Sequence, residues 1–164
     1  MQEKFMIRAI AIARESIDMP GTLPYGAVVV KDGEIIGEGL NRAEANCDPT
    51  SHGEVDAIRD ACARLSVTSL KGADLYTSGE PCSMCVATMY QVGIARLFYA
   101  GAASDSAAFF GRLAEHDPNW ARAMSNQELR EQVGLPMAQR SIPAEQMRAA
   151  EIVAVFKNFI QRHT

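Results

Sequence analysis

The stretch from Tyr25 to Asn41, "YGAVVVKDGEIIGEGLN", constrains the fold most. A β-branched run at Val28 to Val30, an Asp32-Gly33 pair and a second apolar run at Ile35 and Ile36 spell two strands joined by a tight hairpin turn. Its glycines at 33, 37 and 39 follow a turn instead of opening a helix, so they are no dinucleotide-binding fingerprint. Before the hairpin, apolar positions 6, 9, 10, 13 and 17 recur at helical spacing between Phe5 and Met19, and "MPGTLP" ends that helix. After it, "CDPTS" breaks the chain ahead of "HGEVDAIRDACARL", whose Val55, Ile58, Ala61, Cys62 and Leu65 form one helical stripe. "ADLYTSG" reads as a strand, "EPCSMCVATMYQV" as a helix entered through proline and "ARLFYAG" as another strand. The order implies an α/β fold of three layers, α/β/α, around a mixed sheet of about five strands, the last two of them parallel.

Beyond Gly101 the pattern is less regular. "SDSAAFFGRLAEHDPNWARAM" is compatible with a helix or an ordered loop, Ser125 is placed to cap a short helix through "NQELREQVG", and residues 144 to 162 form a final helix with Ile152, Val155, Phe156 and Phe159 on one face. No repeat or linker divides the chain, and 164 residues at 48% hydrophobic suffice for one core. We therefore read residues 1–164 as one domain, with 1–101 as catalytic core and 102–164 as a segment for packing and substrate specificity.

Sixteen basic against twenty acidic residues give a net charge of −4, and no Lys or Arg run suggests a phosphate-tracking stripe. Nucleic acid is thereby disfavoured as a partner. Charges at Glu3, Lys4, Arg8, Arg14 and Glu15 interrupt any signal or membrane-span segment at the start, so a cytoplasmic protein without membrane attachment is expected. Four cysteines with a single close pair then suit metal binding or catalysis better than a disulfide framework.

That pair, Cys82 and Cys85 in "EPCSMC", is compatible on its own with redox chemistry, half a metal site or two packed thiols. "HGE" at 52 to 54 narrows the choice, because it starts one helix with an imidazole and a carboxylate while the cysteines share the first turn of another. Two thiolates and an imidazole suit Zn²⁺ and leave its fourth tetrahedral position open for water, whose pKa zinc can lower to about 7. Helix N-termini favour the thiolate forms. Glu54 would project roughly 200° from His52 in a regular helix, but a cap residue escapes helical dihedrals, so the ring can turn to a metal while Glu54 serves as proton carrier. A closed structural zinc would need a fourth ligand. Cys47 lies across a proline, Cys62 on the apolar stripe, and His116 and His163 read as surface residues.

HGE together with PCSMC resembles the HxE and PCxxC signature of the zinc-dependent cytidine-deaminase-like superfamily. "LPYGAVVVKDGEIIGEGLN", "DPTSHGEV", "LYTSGEPCSMC" and "RLFYA" are similar to its guanine deaminase and tRNA adenosine deaminase branch, over roughly residues 5 to 101. "RSIPAEQM" and "FKNF" are loosely similar to the guanine deaminase tail. The resemblance implies the cytidine deaminase-like fold, Zn²⁺ held by His52, Cys82 and Cys85, Glu54 as proton shuttle, Asn41 hydrogen-bonding the base, and the backbone N–H groups of Gly53 and Cys82 beside the reacting oxygen. It also implies a small-molecule nucleobase substrate and a homodimer, in some members with exchanged C-terminal segments. Gly53 stands where the family more often has alanine, which frees space beside the substrate ring, and "SDSAAFFGR" lacks the fuller set of acidic and aromatic residues seen in guanine deaminases.

Other readings of single residues stay open at this level. Asn41 equally suits closing its strand, and Phe109, Phe110 and Trp120 either stack on a planar base or belong to the core. The methionines at 84, 89, 124, 137 and 147 read as packing, and Glu80 as an exposed loop residue. The activity expected is hydrolytic deamination of a free base, guanine first. Cytosine, isoguanine and aminotriazine deaminases, a tRNA adenosine deaminase, a non-catalytic zinc-stabilised module and a thiol oxidoreductase are the alternatives.

Overall fold

Asp32 and Gly33 both take left-handed backbone angles, φ 52° and 83°, the requirement of a two-residue turn matched to strand twist. They join β1 (Leu23–Lys31) to β2 (Glu34–Asn41) in the computed structural model, which describes residues 2–121 and 123–163. β1 also pairs antiparallel with β3 (Asp74–Gly79), and β3 pairs in parallel with β4 (Arg96–Gly101). The sheet is mixed, in the order β2-β1-β3-β4. Among the described residues it has four strands, close to the five expected, and the chain after Gly101 continues in helices.

Helix α1 (Glu3–Glu15) covers one face, where Phe5, Ala9 and Ile12 meet Val28, Val30, Leu40 and Tyr76. Helices α2 (Gly53–Leu65) and α3 (Ser83–Val92) cover the other, where Val55, Ile58, Ala61, Met89 and Val92 meet Ala27, Val29 and Leu75. Three layers result. The buried stripe of α1 is Phe5, Ala9, Ile12 and Ala13, rotated from the expected one, and Ile10 and Ile17 are exposed. The rotation has a steric cause. A Cβ on Gly26 would lie 2.4 Å from the Ala9 carbonyl oxygen and 2.5 Å from the Ala13 nitrogen, so the small-residue side of α1 sits directly on the strand. Leu65, expected in the α2 stripe, is 46% exposed at the helix end.

The same device seats α2. Cβ atoms on Gly37 and Gly39 would lie 2.4 Å and 2.2 Å from the carbonyl oxygens of Ala57 and Gly53. Strand pairing then brings functional ends together: Leu23 opposes Asn41, and Gly79 opposes Gly101, so the start of β1 and the ends of β2, β3 and β4 share one edge of the sheet. In open α/β sheets that carboxyl edge is where sites form.

A further helix, α4 (Ala103–His116), follows β4 directly. The chain divides into two compact units, up to Asn126 and from Gln127 onward. The second carries α5 (Asn126–Gly134), which starts beside Ser125, and α6 (Ala149–His163), which starts later than expected because Arg148 adopts φ 54°. Met124, Met137 and Met147 are exposed and do not pack as expected, unlike Met89. Among the described residues no helix is long and apolar enough to cross a membrane.

Two outcomes follow from this packing. Gly39→Ala should destabilise the protein by about 3 kcal/mol or more, since backbone cannot yield to a methyl as a side chain can; an unchanged denaturation midpoint would contradict the seating of α2. The Arg8 guanidinium donates to both Glu38 oxygens, 2.7 and 2.6 Å, tying α1 to β2 and holding the Glu38 carboxyl below its usual 4.5 against the opposing effect of burial. With both side chains 40% and 30% exposed, solvent screening limits the pair to under about 1 kcal/mol. Because Glu38 is depressed in the folded state, this contribution is present above pH 4.5 and fades as pH falls through the folded value. The stability gap between Arg8→Met and wild type should therefore close on acidification, as urea titrations at pH 7 and pH 3 would show.

Candidate active site

His52 is the cap residue of α2 and Cys82 the cap residue of α3, both extended, with ψ 152° and 170°, and neither caps its helix with its side chain. Each is thereby free to turn inward, as the sequence allowed for His52. Cys85 lies one turn into α3, fully buried, and Cys82 is partly exposed. The three ligand-type atoms form a nearly regular triangle: His52 Nδ1 lies 3.6 Å from Cys82 Sγ and 3.5 Å from Cys85 Sγ, and the sulfurs are 3.6 Å apart.

That triangle fits a tetrahedral zinc ion. With Zn–S near 2.3 Å and Zn–N near 2.0–2.1 Å, tetrahedral angles set ligand atoms roughly 3.5 to 3.8 Å apart. No fourth side chain of ligand type joins the group among the described residues, which suits an open position. The charge state agrees. The hydrogen bond between the two sulfurs, with the His52 ring, brings the Cys82 thiol down to about 3, while the same bond and burial push Cys85 up.

Glu54, only 5% exposed, is the second residue of α2, and burial raises its carboxyl above the usual range despite the helix-start N–H, His52 and Cys85. It lines a small cleft with Tyr25, Asn41, His52, Glu80, Cys82, Ser106 and Asn126.

Asn41 ends β2 nine-tenths buried and both closes a turn and faces the cleft: its Oδ1 accepts from the Ala43 N–H at 3.2 Å. Gly53 has a packing role, since a Cβ there would lie 2.4 Å from the Tyr25 carbonyl oxygen. Phe109 and Phe110 are not among the cleft-lining residues. They close around Tyr25, Phe110 stacked at 6.2 Å between centroids and Phe109 edge-on at 6.3 Å.

Four lining residues escaped the sequence reading. Tyr25 is aimed by a register irregularity between Leu23 and Gly26, and its ring lies so close to Gly79 that a Cβ there would approach within 3.0 Å. Glu80 is no exposed loop residue; its Oε2 accepts from the Ala103 N–H at 2.9 Å, fastening the start of α4 beside the metal loop. Ser106 and Asn126 come from the weakly patterned tail. Only Tyr25 and Glu80 carried a signal, as the immediate neighbours of the hairpin run and of Pro81.

The comparisons with known proteins agree with this geometry. Residues 1–101 match the cytidine and deoxycytidylate deaminase zinc-binding region. Guanine deaminase of Bacillus subtilis is 36% identical over 94% of this chain and 91% of its own, and the structure of guanine deaminase from that organism superposes with a TM-score of 0.82 over 98% of this chain and 94% of the other. A tRNA-specific adenosine deaminase of Aquifex aeolicus is 43% identical over 51% of this chain and 55% of its own. The chain belongs to the cytidine and deoxycytidylate deaminase zinc-binding family.

Proposed function

We propose that the protein hydrolytically deaminates free guanine, or an amino-heterocycle of the same size, with His52, Cys82 and Cys85 holding Zn²⁺ and Glu54 moving the protons. One observation carries this reading: His52 and Cys82 of the ligand triangle line the same small cleft as the buried Glu54 carboxyl. The similarity to guanine deaminase of Bacillus subtilis over nearly the whole chain supports the choice of base.

When bound, Zn²⁺ supplies a Lewis acid whose water ligand ionises near neutral pH. Burial raises the proton affinity of the Glu54 carboxyl, which takes one proton of the attacking water at its oxygen and passes it to a ring nitrogen, then takes the second and passes it to the departing amine. Overall a C–O bond forms from water, the exocyclic C–N bond breaks, and ammonia leaves. With its Oδ1 engaged by Ala43, Asn41 offers its Nδ2 hydrogens to an acceptor on the base edge. Gly53 and Cys82 offer backbone N–H groups at the helix starts, and the ring of Tyr25, braced by Phe109 and Phe110, bounds the cleft. Ser106 and Asn126 support a specificity role for the segment after Gly101.

A homodimer is part of the proposal. Ile152, Val155, Phe156 and Phe159 of α6 are 47–62% exposed, a stripe that a second copy would cover by face-to-face packing or by exchange of C-terminal segments. Light scattering should give twice the chain mass, and Phe156→Asp with Phe159→Asp should give monomer; a wild-type monomer at micromolar concentration would refute it.

Glu54→Ala should retain stoichiometric zinc while ammonia release from guanine falls by about 10²–10⁴-fold. Turnover preserved in that variant rules out the proton role. An anticodon stem-loop tested in parallel should remain unconverted, and conversion of RNA with guanine untouched would favour the tRNA branch instead. Chelation should abolish turnover at temperatures where far-UV circular dichroism is unchanged, because two apolar layers hold the fold without the metal; simultaneous loss of structure would indicate a merely structural ion.

A further inference from the structure

His52 leads α2 yet gives the helix no side-chain cap, because its ring is turned to the two sulfurs. Something else must set the angle at which the chain enters the helix, and with it the direction of the ring. The preceding residue does so. Ser51 is 1% exposed and every polar group it owns is engaged: its N–H donates to the Asp48 carbonyl at 3.0 Å, and its carbonyl accepts from the Arg42 N–H at 2.9 Å. Its hydroxyl accepts from Asn46 Nδ2 at 2.9 Å and donates to Asp56 Oδ2 at 2.6 Å.

Asp56 grips the junction from the other side. Its backbone N–H donates to the His52 carbonyl at 2.9 Å, while its carboxylate holds Ser51, so one residue clasps both the cap and the residue before it. Arg59 takes the remaining carboxylate oxygen at 2.8 Å and reaches Thr50 Oγ1 at 2.9 Å, closing the network over the loop. Ser51 and Asp56 occupy the positions where an apolar pair commonly staples the chain to a helix start. A charge-assisted hydrogen bond in that place fixes direction as well as distance. Neither residue lines the cleft or belongs to the ligand triangle.

We infer that the Ser51–Asp56 hydrogen bond is a positioning device for His52, which presets the imidazole for zinc. The inference rests on the zinc reading above. Partners that orient a metal ligand typically contribute about 10–100-fold in metal affinity. Zinc affinity measured by competition with a chromophoric chelator should therefore fall by at least about tenfold in Ser51→Ala and in Asp56→Ala. Asp56→Asn keeps both an acceptor oxygen for Ser51 and the N–H for His52, and should restore affinity close to wild type. Ile12→Val, in the core beneath α1 and remote from the loop, serves as the control for general destabilisation and should bind zinc as wild type does. The d–d spectrum of the Co²⁺-substituted protein should change in Ser51→Ala and stay unchanged in Ile12→Val. Wild-type zinc affinity in both alanine variants, or an equal loss in Ile12→Val, overturns the inference. Failure of the wild-type protein to bind zinc removes the metal reading itself, a result distinct from either.

Discussion

The site depends on backbone meeting backbone where α2 crosses the hairpin. Gly37, Gly39 and Gly53 leave no room for a Cβ: added there, it would come within 2.4 Å or less of a carbonyl oxygen. Contact that close is rigid, because backbone meets backbone with no side chain in between to rotate away. The first turn of α2 is thus held against the start of β1 and the end of β2, and His52 and Glu54 ride on that turn. A ligand triangle of 3.5–3.6 Å edges tolerates little displacement, so its precision is inherited from a packing contact between elements that carry no chemistry.

Both ligand-bearing helices give up a customary stabilisation to serve the site. A side-chain cap is typically worth about 1 kcal/mol, and neither His52 nor Cys82 supplies one. The N–H groups at two helix starts favour negative charge nearby, which suits thiolates and a developing oxyanion. On α2 the buried hydroxyl of Ser51 recovers part of the loss from the flank.

Much of this was legible in the sequence, for reasons particular to the residues. The hairpin announced itself through Val28–Val30 and Asp32-Gly33, and the parallel strands through the proline-entered helix between them. The ligand set was readable because zinc demands few residue types at tight spacing. The face that α1 buries was not, because a run such as "AIAIA" is apolar on several sides and the choice was made by Gly26, seventeen residues along the sequence from the Ala9 backbone that it admits. Whether Asn41 closes a turn or faces a ligand could not be decided from its identity either, and in the fold one oxygen serves the first role and leaves the amide for the second.

Substrate contacts are the hardest layer to read, and the cleft shows why. Tyr25, Glu80, Ser106 and Asn126 come from four separate segments, and nothing in their local sequence requires them to meet. Their placement follows from long-range links: the Tyr25 ring rests on Gly79, Glu80 fastens the first N–H of α4, and α4 returns Phe109 and Phe110 to Tyr25. Metal coordination imposes a spacing that leaves a signature in the chain, whereas recognition of a flat heterocycle needs only that polar groups converge at one edge of a sheet. Many sequences satisfy that condition. A metal motif therefore identifies the reaction well before the residues that choose among bases become visible.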